Sequence, residues 1–206
     1  MIVKLRYSRI STRPSTTPAL KTTVTITSVA NSTNTSGFPF VEADDSYNGF
    51  RLVGEGAGDE SGFAVSSAGD VNGDGYDDVI FSAPYYDNGQ TDEGRAYVYY
   101  GSASGLSTTA SWTAESDQAS AYFGNSVSTA GDVNGDGYAD VIIGAPNYDN
   151  GQTDEGRAYV YYGSSSGLNP TPGWTAEGNQ AGAHFGISVG LAGDVNGDGY
   201  ADIIVG

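Results

Sequence analysis

The chain has 206 residues, no cysteine, 31 glycines, 15 tyrosines and a formal net charge of −17 at pH 7. Without cysteine a disulfide framework and thiolate metal sites are excluded. A body this acidic repels nucleic-acid phosphates and anionic lipid, which argues against both as direct partners, whereas divalent cations suit it. Charge is split along the chain: five of the eight basic residues precede Glu42 and all 25 acidic residues lie from Glu42 onward, so the two parts carry +5 and −22. No run of about 18 apolar residues is present to span a membrane. No apolar segment follows the N-terminal basic residues, so no signal peptide is legible.

Residues 1–48 are rich in Ser, Thr, Pro and Asn and are read as an N-terminal segment or linker, with one alternating strand at Val24-Thr25-Ile26-Thr27. Asn31-Ser32-Thr33 and Asn34-Thr35-Ser36 match the glycosylation sequon, a match that Ser/Thr-rich composition produces by chance.

From residue 49 the chain repeats. Phe50, Trp112 and Trp174 are in phase at an offset of 62 residues, as are Gly62, Gly124 and Gly186, and the run Tyr86 to Ser102 recurs unchanged as Tyr148 to Ser164. The repeats are framed at about 49–110, 111–172 and 173–206, the last truncated. A period of this length points to a stacked or radial array.

In the second repeat Ser126–Ala130 alternates as a first strand, and Val141-Ile142-Ile143-Gly144 is a β-branched second strand stopped by Ala145-Pro146. Asp149-Asn150-Gly151 and Asp154-Glu155-Gly156 are turn signals. Arg157–Tyr162 gives a third strand and Trp174–Glu177 begins a fourth. Four short strands per unit with no amphipathic helix predict an all-β fold of four-stranded antiparallel β-propeller blades, each covering its neighbour's apolar face.

Between first and second strands lies D-V-N-G-D-G-Y-x-D, at Asp70–Asp78, Asp132–Asp140 and Asp194–Asp202. Calcium takes roughly six to eight oxygens at about 2.3–2.6 Å. Asp70, Asn72 and Asp74 supply them from positions one, three and five, the carbonyl of Tyr76 from position seven and Asp78 from position nine. The same places are held by Asp132, Asn134, Asp136, Tyr138 and Asp140, then by Asp194, Asn196, Asp198, Tyr200 and Asp202, one Ca²⁺ per loop and three in the chain. Position eight is Asp77 in one copy and Ala139 or Ala201 in the others, which marks it as dispensable and solvent-facing.

The bland alternative is an Asx-rich turn satisfied by its own amides. Two bare carboxylates about 4 Å apart repel by roughly 1 kcal/mol even in bulk water, and three in one loop compound it. Magnesium fits less well, because it demands a stricter octahedron. An EF-hand is excluded because position twelve is Phe81 or Ile143, not Glu, and no helix flanks the loop.

Together these residues resemble the FG-GAP repeats of the integrin α-subunit propeller and its bacterial relatives. Phe123-Gly124 and Phe185-Gly186 supply F-G, Gly144-Ala145-Pro146 supplies G-A-P, and the acidic loop sits between them. The first copy departs with Ser61-Gly62 and Ser82-Ala83-Pro84, so its first strand is expected to pack differently. The resemblance implies a propeller of usually about seven blades with calcium in each hairpin loop, and a non-enzymatic, extracellular or cell-surface module for adhesion or protein–protein interaction. Three partial blades cannot close a ring, so the remaining blades are expected from a longer chain or from self-association.

Other features carry less. Gly186-Ile187-Ser188-Val189-Gly190 matches a hydrolase nucleophile elbow without the helix that should follow. His184 aligns with Tyr122 and is read as a packing or surface residue. Arg95, Tyr97 and Tyr99 share a strand face, as do Arg157, Tyr159 and Tyr161; they are expected to pack between blades, the alternative being a sugar-stacking face of a lectin-like propeller. Asp92-Glu93 and Asp154-Glu155 are read as solvated turn residues. An accessory role beside a larger secreted enzyme is the remaining alternative.

Overall fold

The computed structural model describes residues 2–6, 23–27, 40–44, 49–56 and 58–206; the two glycosylation sequons lie outside them. Every regular element among these residues is a strand. Four strands, β1 (Ile2–Arg6), β2 (Thr23–Thr27), β3 (Phe40–Asp44) and β4 (Gly49–Val53), form a sheet in the order β1-β2-β4-β3, with β2 and β4 parallel. One of these, β2, is legible in the sequence. The other two that fall within residues 1–48, β1 and β3, interrupt the reading of that segment as linker, because the basic residues of Ile2–Arg6 and the acidic ones of Phe40–Asp44 mask short runs of alternation.

The repeats follow as two complete sheets and a pair. In the first, β5 (Val65–Gly69), β6 (Asp78–Ala83), β7 (Arg95–Tyr99) and β8 (Trp112–Glu115) lie side by side in chain order, all antiparallel. The second repeats this with β9 (Ser126–Gly131), β10 (Asp140–Ala145), β11 (Arg157–Tyr161) and β12 (Trp174–Glu177), and β13 (Val189–Gly193) pairs with β14 (Asp202–Val205). Trp112 and Trp174, which open a repeat in sequence phase, therefore close a sheet.

Period two sorts the apolar side chains between the two faces of each central strand. From β6, Ile80 joins a core with Val98, Phe123, Val141, Ile143, Tyr159 and Tyr161, drawn from both sheets, while Phe81 faces the other way onto Leu52, Tyr97 and Tyr99. From β10, Val141 and Ile143 face the first sheet, and Ile142 packs with Ala130 and Val160 against Val189, Ile203 and Val205 of the third repeat. β10 is buried along its whole length, which explains its uninterrupted apolar run.

The tyrosines are packing residues. Tyr97 and Tyr99 are fully buried, with the Phe81 ring stacked 4.8 Å from Tyr97 and 5.7 Å from Tyr99. Tyr159 and Tyr161 are buried against Phe123, and Trp112 meets Tyr161 edge-on at 4.8 Å. Arg157 lies over the ring of Tyr148 at 4.2 Å, as Arg95 lies over Tyr86 at 4.7 Å. These faces are closed by neighbouring elements and offer no open sugar platform.

The F-G dipeptide ends a turn on the next sheet edge. Gly124 N donates to Gly144 O at 2.9 Å and Gly186 N to Gly206 O at 2.8 Å. Gly62 N donates to Ser82 O at 2.8 Å, so the first copy keeps the same backbone bond despite Ser61. Its difference lies in the side chain: Ser61 is buried with an unpartnered hydroxyl, where Phe123 fills space between sheets.

Candidate metal centre

The acidic loop connects the first two strands of each repeat, and the hydrogen bonding of its positions one to seven is the same in all three copies. Asp70 Oδ1 accepts from Gly73 N at 2.7 Å and Asp74 N at 3.1 Å, and its Oδ2 accepts from Gly75 N at 2.8 Å. Asn72 Oδ1 accepts from Asp74 N at 2.9 Å, and Asp74 Oδ1 from Tyr76 N at 2.9 Å. The corresponding bonds recur for Asp132, Asn134, Asp136 and Tyr138 and for Asp194, Asn196, Asp198 and Tyr200. Gly73 and Gly75 have φ of +74° and +87°, which only glycine adopts without strain, and these turns aim the loop amides at the position-one carboxylate.

Position nine is different in kind. Asp78 is fully buried, its Oδ2 accepting from Val71 N at 2.9 Å and its Oδ1 from Gly101 N at 2.8 Å. Asp140 does the same for Val133 N and Gly163 N, both at 2.9 Å. Asp202 accepts from Val195 N at 2.8 Å. The residue thus closes the loop and, in the first two copies, pins it to the end of the third strand. Burial pushes the carboxyls of Asp78 and Asp140 up to about 6, against the pull of the two amide bonds each receives.

Asp70 Oδ1 accepts two amides and so fills its two lone pairs, whereas Asp70 Oδ2, Asn72 Oδ1 and Asp74 Oδ1 accept one amide each and keep a lone pair. The donor set of carboxylate, amide and carbonyl oxygens, with no nitrogen or sulfur, is the chemistry of a hard cation such as calcium. The Asx-turn bonding of the bland alternative is present in every loop, and among the described residues no loop brings three carboxylate oxygens within 4.8 Å of one another.

Position eight has a job that sequence reading missed. Ala139 N donates to Asp70 O and Ala201 N to Asp132 O, both at 3.0 Å, so each loop is hydrogen-bonded to the loop of the preceding repeat. A Cβ on Gly69 would stand 2.6 Å from Ala139 Cβ, and one on Gly131 2.7 Å from Ala201 Cβ. Asp77, exposed to solvent as expected, has no such neighbour among the described residues. Position seven also reaches across, since a Cβ on Gly73 would stand 2.6 Å from Tyr138 Cε1.

A second acidic group was not anticipated. Glu93 and Glu155, read as solvated turn residues, are buried. The Phe123 turn covers Glu93, with Phe123 N donating to Glu93 O at 3.0 Å, and Phe185 N does the same to Glu155 O at 3.1 Å. Glu93 Oε1 accepts from Asn88 N at 2.6 Å. Burial raises the Glu93 carboxyl, and the charges of Glu115 and Asp117 push the same way. Among the described residues, Glu93, Glu115 and Asp117 are the acidic triplet whose carboxylate oxygens lie within 4.8 Å of one another. The only sequence signal for Glu93 was its place in the run duplicated without change.

The remaining candidates fall away as chemistry. Ser188 of the G-x-S-x-G run is followed directly by strand β13, not by a helix. His184 Nδ1 lies 3.2 Å from Asn147 Oδ1 and 3.3 Å from the Pro146 carbonyl, a packing position.

Comparison with known proteins agrees with this repeat geometry. The family model for the FG-GAP repeat matches residues 61–99, 123–161 and 185–206. The chain is 34% identical over 154 residues to integrin alpha-6 of Gallus gallus, 36% over 176 residues to integrin alpha-PS2 of Drosophila melanogaster, and 38% over 154 residues to integrin alpha pat-2 of Caenorhabditis briggsae. These matches cover 74%, 77% and 66% of the chain but 14%, 12% and 12% of the relatives, so the chain spans a small fraction of their length.

Proposed function

Because the chain belongs to the FG-GAP repeat family, its sheets being blades of an integrin alpha-like β-propeller, we propose that it is a calcium-binding, non-enzymatic module for adhesion or protein–protein interaction at the cell surface or outside the cell. The observation that carries the calcium reading is the threefold recurrence of one oxygen-only loop with the same hydrogen bonds. Asp70, Asn72, Asp74, the Tyr76 carbonyl and Asp78 would hold one ion, with Asp132, Asn134, Asp136, Tyr138 and Asp140, then Asp194, Asn196, Asp198, Tyr200 and Asp202, holding two more. Bound calcium supplies positive charge that offsets three carboxylates per loop.

The protein's own residues do the rest. Position nine holds each hairpin shut, and the bonds from Ala139 to Asp70 and from Ala201 to Asp132 transmit loop geometry to the next blade. A stiff array of blades then presents its connecting loops to a protein or glycan ligand.

The test is thermal unfolding with saturating Ca²⁺ against excess EGTA. Linkage predicts about 2.7 kcal/mol per site at a free concentration one hundred times Kd, read as a higher Tm. A Tm unchanged by EGTA overturns the calcium reading.

A further inference from the structure

We infer that Glu93, Glu115 and Asp117 form a separate site for a hard divalent cation, away from the hairpin loops. Glu93 is fully buried and its Oε2 has no hydrogen-bond partner, a state that buried carboxylate oxygens avoid unless something else meets them. Glu115 is half-buried and Asp117 exposed, so the group runs from a closed floor to an open mouth through which an ion enters. One oxygen from each residue lies within 4.8 Å of the other two. Oxygens bound to one calcium at about 2.3–2.6 Å are at most about 5 Å apart, so the spacing suits a shared ion.

The surroundings leave room for that role. Glu115 Oε1 lies 2.7 Å from Arg95 Nε and its Oε2 accepts from Asn88 Nδ2 at 2.9 Å, one contact per oxygen, which leaves a lone pair on each. Arg95 also faces Glu55, 3.3 Å away, so its charge is shared between a carboxylate of the triplet and one outside it. All donors are oxygens, which selects a hard cation over zinc or copper. An ion here would cross-link the connection ending at Glu93 to the end of β8, two segments that the hairpin loops do not touch.

The next blade provides an internal control. Glu155 is buried with an unpartnered Oε2, as Glu93 is, and Glu177 takes the place of Glu115. The third position, however, is Asn179 instead of an aspartate. Two carboxylates remain where the first blade has three, so the site should be strong in one blade and weak in the next.

Equilibrium dialysis of the full chain against Ca²⁺ tests this. Asp117→Asn copies the residue the neighbouring blade already accommodates, and it should lower the bound calcium by one equivalent per chain. Stoichiometry equal to wild type overturns the site. Should Asp117→Asn fail to fold, Asn179→Asp decides alone: one added equivalent supports the proposal, and none overturns it. The combined Asp70→Asn, Asp132→Asn and Asp194→Asn variant reports on the hairpin loops. A change confined to that variant supports the loops and sinks the second site, whereas a change confined to Asp117→Asn does the reverse.

Discussion

Ala139 donates its amide to the carbonyl of Asp70 at 3.0 Å while its methyl group closes the space above Gly69. One residue of the second acidic loop is thereby seated on the first residue of the loop before it. The acidic hairpins of successive repeats are thus stacked on one another.

Gly69 has φ of +77° and a Cβ there would stand 2.6 Å from Ala139 Cβ. Gly69→Ala should therefore destabilise by about 2 kcal/mol or more, from backbone strain and overpacking together. Asp77→Ala, at the equivalent of Ala139 but exposed, should stay within about 0.5 kcal/mol of wild type. Urea unfolding of the two variants checks the contrast, and similar losses in both would remove the case for loop stacking.

Asp140 serves the backbone as well as any ion. Asp140→Ala leaves the buried Gly163 amide without an acceptor, at about 1–3 kcal/mol, and the half-buried Val133 amide at a smaller cost. The loss should persist in excess EGTA. Asp136, which accepts from Tyr138 N and Asn134 Nδ2 at the surface, should matter little in EGTA and mainly lower calcium affinity. Unfolding in EGTA and calcium titration separate the two roles.

Period and strand order were legible because each repeat carries its own signals: β-branched runs, a proline stop, glycine turns and an acidic loop. The packing of the tyrosines was legible too, since identical repetition suits scaffold. Glu93 was not, because Asp92-Glu93-Gly94 reads as a turn from its neighbours alone. Its burial comes from the Phe123 turn of the following repeat, 30 residues later in the chain. Position eight was read as dispensable and solvent-facing, and Asp77 is exposed; variation between copies could not show that the amides of Ala139 and Ala201 are bonded to the loop of the preceding repeat.

Phe123, the aromatic half of the F-G pair, is fully buried with its ring 5.2 Å from Tyr159 and 6.5 Å from Tyr161. Phe123→Ala should cost about 3–5 kcal/mol, the usual range for a large core aromatic. It should also loosen the turn that covers Glu93, which hydrogen exchange at the Phe123 amide would report as faster opening. Exchange at wild-type rate would mean that the turn is held by its backbone bonds alone.

Glu177 gives the fold a response to acid. It accepts from Asn150 Nδ2 at 2.9 Å and from Arg157 Nε at 2.6 Å, and these contacts hold its carboxyl below the ordinary value of 4.5, against burial. The folded state therefore releases this proton more readily than the unfolded chain. The stabilisation is complete above the ordinary glutamate range and is lost as pH falls through the lower folded value. Arg157 is held on its other side by the Tyr148 and Tyr159 rings, so Glu177 is its acidic partner here. Glu177→Gln should lower stability near neutrality by about 1 kcal/mol, and the gap should close as pH falls below the lowered folded value. Urea unfolding between pH 3 and pH 7 measures this, and a gap that stays constant across that range would assign the loss to packing rather than to charge.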